Sequence, residues 1–304
     1  MVDLAAIILC YNEQIHLKRA LESIAPIAKE VIVVDSYSTD RTVEIANAHG
    51  AIVLTNKFVN HAQQFQWALT HAPITAEWIM RLDADEIIEP DLVEEINSRL
   101  PSLPKDVVGI TLKRKHIFLG RWIRHGGRYP LMLLRIWRRG HGRIENRWMD
   151  EHMIVWGGRI VTFNGGFADH NLTDLAFFTD KHNKYATREA IDVLGQKYNL
   201  FGSNLVLTAN DTSRQVSIRR FMKERFYNRL PFQVSALIYF LYRYFLQLGF
   251  LDGKEGLIYH VLQGFWYRFL VGAKVFELER AIAHMKDPMK IKAELRRLTG
   301  FEIE

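Results

Sequence analysis

The sequence predicts an α/β protein: a mostly parallel sheet flanked by helices, followed by a helical C-terminal region that associates with a membrane. Three observations carry this expectation. Short apolar runs alternate with helical periodicity through the first hundred residues. From Val107 to Ala168 the pattern changes to strands broken by Gly and Trp. Toward the C-terminus aromatic and basic residues gather, with 16 of the 36 aromatics between Phe221 and Phe276.

The elements follow in order. Leu4–Cys10 and Val31–Asp35 are apolar runs of the kind that form buried parallel strands, and Leu17, Leu21 and Ile24 recur between them at helical spacing. A helix follows Asp40 with Val43 and Ala46 inward and ends at Gly50, ahead of a strand at Ala51–Leu54. His61–Ala72 reads as a helix with Ala62, Phe65 and Leu69 on one stripe. Glu77–Leu82 reads as a strand, and Pro90 opens the next helix. Such alternation implies right-handed crossovers and a mostly parallel sheet. Asp174–Lys197 returns to a long helix, Phe201–Ser213 resembles a linker, and helices dominate thereafter with a turn at Gly249–Gly256. The expected division is a catalytic domain over 1–200 and a helical, basic, aromatic-rich region over 213–304.

Composition narrows the class. With 304 residues, 48% apolar and 24% charged, the chain is too apolar to be disordered and long enough for one large α/β domain with an appendage. A single cysteine, Cys10, excludes an intramolecular disulfide and a multi-cysteine zinc site, and fits a reducing compartment. The N-terminus has Asp3 and no basic lead-in, unlike a signal peptide, and the run Leu230–Tyr242 falls short of the ~18 residues a spanning helix needs. The expectation is a cytoplasmic protein, peripheral on the inner face of the cytoplasmic membrane.

The net charge of +6 resides between Thr212 and Arg280, where 11 Lys/Arg face 5 Asp/Glu. Arg219, Arg220, Lys223, Arg225 and Arg229 crowd one predicted helix, and Tyr239, Phe240, Tyr242, Tyr244 and Phe245 follow. Basic and aromatic residues together suggest an anionic surface, for which lipid headgroups are expected rather than nucleic acid. Arg243 interrupts the aromatic run, which argues for lying in the interface and against spanning it. A folded subdomain with an aromatic core and a solvated basic face is the bland alternative.

Ligands of open parallel sheets bind beyond the carboxyl ends of the strands. Those ends read Cys10-Tyr11-Asn12-Glu13, Asp35-Ser36-Tyr37-Ser38-Thr39-Asp40 and Asp83-Ala84-Asp85-Glu86. Neither G-x-G-x-x-G after the first strand nor G-x-x-x-x-G-K-[ST] is present, so dinucleotide and P-loop chemistry have no support. An acidic edge repels phosphate unless a divalent cation takes oxygens from both. Asp83 and Asp85, after the apolar strand Trp78-Ile79-Met80, are placed for that role.

At these residues the chain resembles the inverting nucleotide-sugar glycosyltransferases of family 2, which have the GT-A type, Rossmann-like fold. The resemblance rests on Ile8-Leu9-Cys10-Tyr11-Asn12-Glu13, on the Asp35-Ser36-x-Ser38-x-Asp40-x-Thr42 turn, and on Arg81-Leu82-Asp83-Ala84-Asp85. Trp148-Met149-Asp150-Glu151-His152 and the Tyr/Phe-rich C-terminal helices look more specifically like the lipopolysaccharide-core glucosyltransferase branch. The resemblance implies that Tyr11 stacks on a nucleobase and Asp35 hydrogen-bonds it. Glu13 and Asp83 approach the ribose, Arg81 joins the nucleotide-sugar site, and Asp85 holds a Mg²⁺ or Mn²⁺ that bridges the diphosphate, with Asp83 and His170 as further candidate ligands. A structural account stands beside each: Tyr11 as packing, Asp35 as a turn cap, Glu13 as a first-turn glutamate favoured by the helix dipole. For Asp40 the capping account is preferred.

Inversion needs a base opposite the leaving nucleotide. The resemblance places it in Asp150-Glu151, with Glu151 the choice and Asp150 its rival. His170 is either a metal ligand or a residue that orients the diphosphate, and Thr179–Tyr185 is either a phosphate-facing or a solvated helix start. His116, His125 and His141 lack ligand spacing and receive no role. The Q-x-x-R-W pattern of processive relatives is absent, since Ile144-Glu145-Asn146-Arg147-Trp148 has no glutamine. Transfer of one sugar from a nucleotide donor, expected to be a UDP-sugar, to a glycan or lipid-linked acceptor follows. This reading implies work in lipopolysaccharide or other cell-surface polysaccharide biosynthesis. A polyprenyl-phosphate glycosyl synthase and a non-catalytic membrane or nucleic-acid adaptor are the alternatives.

Overall fold

The computed structural model describes residues 1–145, 152–200, 230–301 and 303. They form two compact units, Met1–Thr173 with Leu251–Gly256, and Asp174–Phe250 with Leu257–Glu304.

The first unit is built on a mixed sheet. β1 (Leu4–Cys10) pairs in parallel with β2 (Glu30–Asp35) and β4 (Trp78–Asp83), and β2 pairs in parallel with β3 (Ile52–Thr55). β1 is apolar throughout because both of its faces are covered. Ala6 and Ile8 pack on one face with Leu17, Leu21 and Ile24 of α1 (Leu17–Ile24) and Leu92 and Ile96 of α4 (Pro90–Arg99). Ala5 and Ile7 pack on the other with Phe65 and Ala68 of α3 (His61–His71). α2 (Thr42–Ala48) lies between β2 and β3 in the chain.

The remaining strands extend the sheet. β8 (Leu131–Arg138) runs antiparallel to both β4 and β6 (Val107–Phe118), and β11 (Arg159–His170) lies parallel to β6 and antiparallel to the short β5 (Glu86–Ile88). β7 (Arg121–Trp122) folds back on β6, and β9 (Gly142–Ile144) pairs with β10 (Met153–Val155) as a separate ribbon. Register decides the function of this frame. Cys10 pairs with Asp35, Leu9 with Asp83, and His116 with Asp169, so the polar strand ends collect at one edge. β5 has no counterpart in the sequence expectation, because three residues are too few to show a period.

The second unit is helical. α5 (Leu175–Lys197) is capped by Asp174, whose Oδ1 accepts from the Phe177 amide at 2.8 Å. Its Ala186 packs with Tyr267 and Val271 of a later helix, α8 (Tyr267–Ile282). The expected catalytic domain ran to residue 200 and so included α5, whereas the structure groups α5 with the helices through this apolar contact. The turn expected at Gly249–Gly256 is a 3₁₀ turn, Gly249–Asp252, running into α7 (Gly253–Tyr259). α6 (Phe232–Leu241) precedes it, and α9 (Pro288–Thr299) closes the chain. Arg243, which follows α6, is 5% exposed, with its guanidinium 5.4 Å from the Tyr239 ring and 5.8 Å from that of Tyr259. It contributes to the interior of the helical unit through these rings. The expected linker and the basic helix with Arg219, Arg220, Lys223, Arg225 and Arg229 lie outside the described residues.

Candidate active site

The loops after β1 and β2 lock together. The Asn12 amide donates to Ser38 Oγ (2.9 Å), the Glu13 amide to Thr42 Oγ1 (2.7 Å) and the Gln14 amide to Asp40 Oδ2 (3.1 Å), while Asn12 Oδ1 accepts from the Thr39 amide (2.8 Å). Asn12 and Tyr37 turn through positive φ, 55° and 62°, as the tight reversals beyond the strands require. Asp40 accepts from the Thr42 amide at 2.9 Å and so starts α2, in keeping with the capping account. The loops leave Tyr11 60% exposed at the strand end, free to stack.

Asp35, by contrast, is 2% exposed. Its Oδ2 accepts from the Ser38 amide at 2.9 Å, but its Oδ1 is buried with no hydrogen-bond partner among the described residues. A buried acceptor without a donor costs about 1–3 kcal/mol, so a ligand N–H placed there would be favoured. Ser36 beside it is held by the buried Gln64, whose Nε2 donates to Ser36 Oγ (3.1 Å) and to the Asn56 carbonyl (3.0 Å).

Glu13 Oε2 lies 2.6 Å from His16 Nδ1, and His16 Nε2 accepts from the Leu172 amide at 2.9 Å. The second bond requires an unprotonated Nε2, so Nδ1 carries the proton toward Glu13. The buried imidazole thus ties the first loop to the segment after β11. That same segment meets Asp85. The His170 amide donates to the Asp85 carbonyl (2.9 Å), and Asn171 Nδ2 donates to Asp85 Oδ2 (3.0 Å). The sequence named Asp85 and His170 from positions far apart, and the structure makes them neighbours.

A divalent cation suits this corner in part. Among the described residues no three His, Cys, Asp or Glu side chains converge on one point. Asp85 is a carboxylate of the kind that binds Mg²⁺ together with substrate phosphates and water. His170 is held below the usual imidazole range by burial and by Arg19, which suits a neutral ring. Arg19 donates to the His170 carbonyl (2.9 Å) and sits 3.3 Å from Nδ1. With Nδ1 accepting from a guanidinium, the ring proton belongs on Nε2, where it can donate to a phosphate oxygen.

Asp83 occupies a different setting. Arg81 Nε and Arg135 Nη2 each lie 3.3 Å from its carboxylate. Burial would raise its pKa, but Arg135 and Arg81 outweigh that and hold it well below the usual carboxylate range. Arg135 also reaches Glu86 Oε1 at 2.6 Å, and Glu86 Oε2 accepts from the Asp83 amide at 2.9 Å. Arg114 lies 3.7 Å from Glu86 and 3.6 Å from Asp169, whose carboxylate is 3.1 Å from His116 Nδ1. Burial drives the Glu86 pKa up, Arg135 opposes, and the Asp83 charge adds to the rise, giving about 8. Burial also acts against Asp169, yet His116 and Arg114 hold it below the usual range.

Of this buried chain of acids and bases, the sequence pointed only to Arg81 and Asp83. Its members lie on β4, β5, β6, β8 and β11, so no local spacing joins them. The alternation of Arg114 and His116 along β6 was the one available sign, since a strand points such residues to the same face. The remaining predicted residues, Asp150 and Glu151, lie outside the described residues, between β9 and β10 in the chain.

The Glycosyl transferase family 2 model matches residues 5–170, which contain Tyr11, Asp35, Asp83, Asp85 and His170. The chain belongs to that family. Its sheet accords with the GT-A type expected for it. An uncharacterized glycosyltransferase of Rickettsia bellii is 39% identical over 103 residues, a match spanning 34% of this chain and only 34% of that relative. Another, from Rickettsia typhi, is 25% identical over 91% of this chain and 88% of its own length. The lipopolysaccharide core biosynthesis glycosyltransferase LpsC of Rhizobium meliloti is 27% identical over 91% of this chain and 93% of its own. Among solved structures, the Mycobacterium tuberculosis glucosyl-3-phosphoglycerate synthase with Mn²⁺ and UDP aligns with a TM-score of 0.31 and 22% identity. That likeness covers 37% of this chain and 43% of that one.

Proposed function

We propose that the chain transfers a single sugar from a UDP-sugar to a hydroxyl of a glycan or lipid-linked acceptor, with inversion, in lipopolysaccharide or other cell-surface polysaccharide assembly. The observation that carries the donor reading is Asp35 Oδ1, a buried acceptor without a donor beside exposed Tyr11. Tyr11 stacks on the base while Asp35 accepts its N–H. Glu13 and Asp83 face the ribose hydroxyls, and Arg135 and Arg81 keep Asp83 ionised. Asp85 holds Mg²⁺ or Mn²⁺, with Asp83 as the further candidate, while His170, whose Nδ1 faces Arg19, is suited to donate from Nε2 to a phosphate oxygen rather than to ligate. The cation would neutralise charge that develops on the leaving diphosphate. In the transfer step the acceptor oxygen bonds to the anomeric carbon as the bond to the diphosphate breaks, and Glu151 takes the hydroxyl proton. The direction toward lipopolysaccharide is supported by the near-full-length similarity to LpsC.

Calorimetry of UDP with and without Mn²⁺ tests the donor reading. Asp85→Ala should abolish the Mn²⁺-dependent gain in affinity in a folded protein, and an unchanged gain would refute the assignment. Glu151→Gln should keep donor affinity while transfer falls ~10²–10⁴-fold. Near-normal transfer, with Asp150→Asn inactive, would move the base one residue upstream.

The same proposal places the protein on an anionic membrane surface. Leu237, Ile238 and Leu241 on α6, with Phe245 and Leu246 after it, are all exposed, and five basic residues precede them between positions 219 and 229. Among the described residues no single helix is long and apolar enough to cross a membrane. Phe232–Leu246 and Gly249–Ile282 pass on length and composition only as a pair, bent by 73°. Each basic group near an anionic leaflet contributes on the order of 1 kcal/mol. Co-sedimentation with anionic vesicles at low salt, lost at high salt and in the triple Arg219→Glu, Arg220→Glu, Lys223→Glu variant, is the expected result. Indifference of the wild type to such vesicles would refute it.

A further inference from the structure

The loop after β7 carries a histidine that the sequence reading left without a role. Asp252 is 3% exposed, and both its carboxylate oxygens are taken by one residue. Oδ2 accepts from the His125 amide at 2.8 Å, and Oδ1 lies 2.7 Å from His125 Nδ1. With Oδ1 accepting from Nδ1–H, the neutral tautomer of the ring has its lone pair on Nε2. The His125 side chain is 33% exposed, and Nε2 has no partner among the described residues. A buried aspartate that orients a histidine while the far nitrogen faces outward is an arrangement suited to receiving a hydroxyl proton or hydrogen bond.

The mounting is deliberate in its details. Residues 251–256 belong to the sheet unit although they arrive from the helical part of the chain. Arg121 holds them too, 3.5 Å from the Leu251 carbonyl and 3.8 Å from Glu255. A Cβ at residue 253 would come within 3.2 Å of the Arg121 guanidinium, and the backbone there turns through φ +71°, so glycine serves both the turn and the close approach.

Position gives the chemistry a substrate. The Ile123 amide donates to the His116 carbonyl at 2.9 Å, which sets the loop at the β6 end. There His116 pairs in register with Asp169, the neighbour of His170. His125 therefore stands at the same carboxyl edge as Asp85, on the loop held at the end of β6, whereas the nucleoside half lies beyond β1 and β2. Arg124 beside it is exposed, rests 5.3 Å from the Trp122 ring, and has no carboxylate partner among the described residues.

We propose that His125, held by Asp252, is an acceptor-binding residue: Nε2 accepts a hydrogen bond from a hydroxyl of an anionic sugar acceptor whose charge meets Arg124. The inference rests on the sugar-transfer reading above and deepens it. Asp252 is a positioning residue, acting only through the ring it fixes.

Acylation of His125 by diethyl pyrocarbonate, read by peptide mass spectrometry on the full chain, tests this directly. The free protein should react at His125. A purified lipopolysaccharide core oligosaccharide should protect it, and neutral maltohexaose should not. Undiminished acylation with the core oligosaccharide, or equal protection by maltohexaose, would overturn the proposal. In transfer assays with UDP-glucose, His125→Phe should raise the acceptor KM about tenfold, with a smaller change in kcat, as expected for one lost hydrogen bond. His125→Gln, whose amide oxygen still accepts, should recover part of that loss, and Asp252→Asn should resemble His125→Phe. An unchanged acceptor KM in folded His125→Phe and His125→Gln would also overturn it. Absence of transfer by the wild type would count against the donor reading, and the acylation result would still decide the role of His125.

Discussion

The two halves of the sheet edge are held in opposite ways. Around β1 and β2, short polar side chains bond to backbone amides: Ser38 to Asn12, Thr42 to Glu13, Asp40 to Gln14. Around β4, β5, β6, β8 and β11, charged side chains bond to one another out of water: Arg135 to Asp83 and Glu86, Arg114 to Glu86 and Asp169. These loop bonds of the first half are exposed or half-buried, so water can replace a lost partner. The second is buried, and loss of one member leaves a charge that nothing replaces. The difference fits the proposed tasks, a nucleoside seated by shape and single bonds, and a diphosphate met by fixed charge.

Arg135 should show the largest effect. It is 4% exposed and contacts two carboxylates, so Arg135→Ala should cost about 3–5 kcal/mol in chemical denaturation. A cost under about 1 kcal/mol would mean that the network is wet and the contrast false. Asp35 comes next and separates ligand binding from stability. Asp35→Asn turns an acceptor into a donor at the unpartnered position, and loss of a charge-assisted bond there is worth about 1.5–3 kcal/mol of UDP affinity. Stability should hardly change, because the amide oxygen of the asparagine can still accept from the Ser38 amide. An equal fall in both would make Asp35 a structural residue.

The same contrast explains what the sequence made legible. The loops of the first half are built from contiguous motifs, so Tyr11, Glu13, Asp35 and Asp40 were readable as a group. Asp85 and His170 were readable singly, although only the pairing of β5 with β11 makes them neighbours. Arg135, Glu86, His125 and Asp252 had no local sign of function, and Arg114 had only its alternation with His116 along β6. His125 and Asp252 stand 127 positions apart, and they meet because residues 251–256 return to the sheet unit. Periodicity found the strands of the first hundred residues but not β5, which is too short to alternate.

Acidity probes the buried half through Glu86. The Glu86 pKa rises from 4.5 to about 8, chiefly through burial. A raised pKa means that the folded protein binds the proton more tightly than the unfolded chain does. The resulting stabilisation is complete below about 4.5 and is lost as pH climbs through about 8. Relative to Glu86→Gln, which cannot titrate, the wild type should therefore lose stability between pH 5 and 8. Parallel stability profiles would show that Arg135 keeps Glu86 ionised throughout.

Ser38 should show the smallest effect and sets the scale for the other half. Its hydroxyl accepts from the Asn12 amide at 2.9 Å, an exposed bond across two loops. Ser38→Ala leaves that amide to water, so the stability cost should sit near 0.5 kcal/mol, the low end for a single hydrogen bond. Asn12 holds φ at 55°, and without its anchor the loop samples other conformations. Nucleotide affinity should therefore weaken a few-fold, measured by calorimetry with UDP, while denaturation hardly changes. Matching losses in Ser38→Ala and Arg135→Ala would erase the distinction between the halves. A binding loss without a stability loss would place the flexibility of the edge on the nucleoside side.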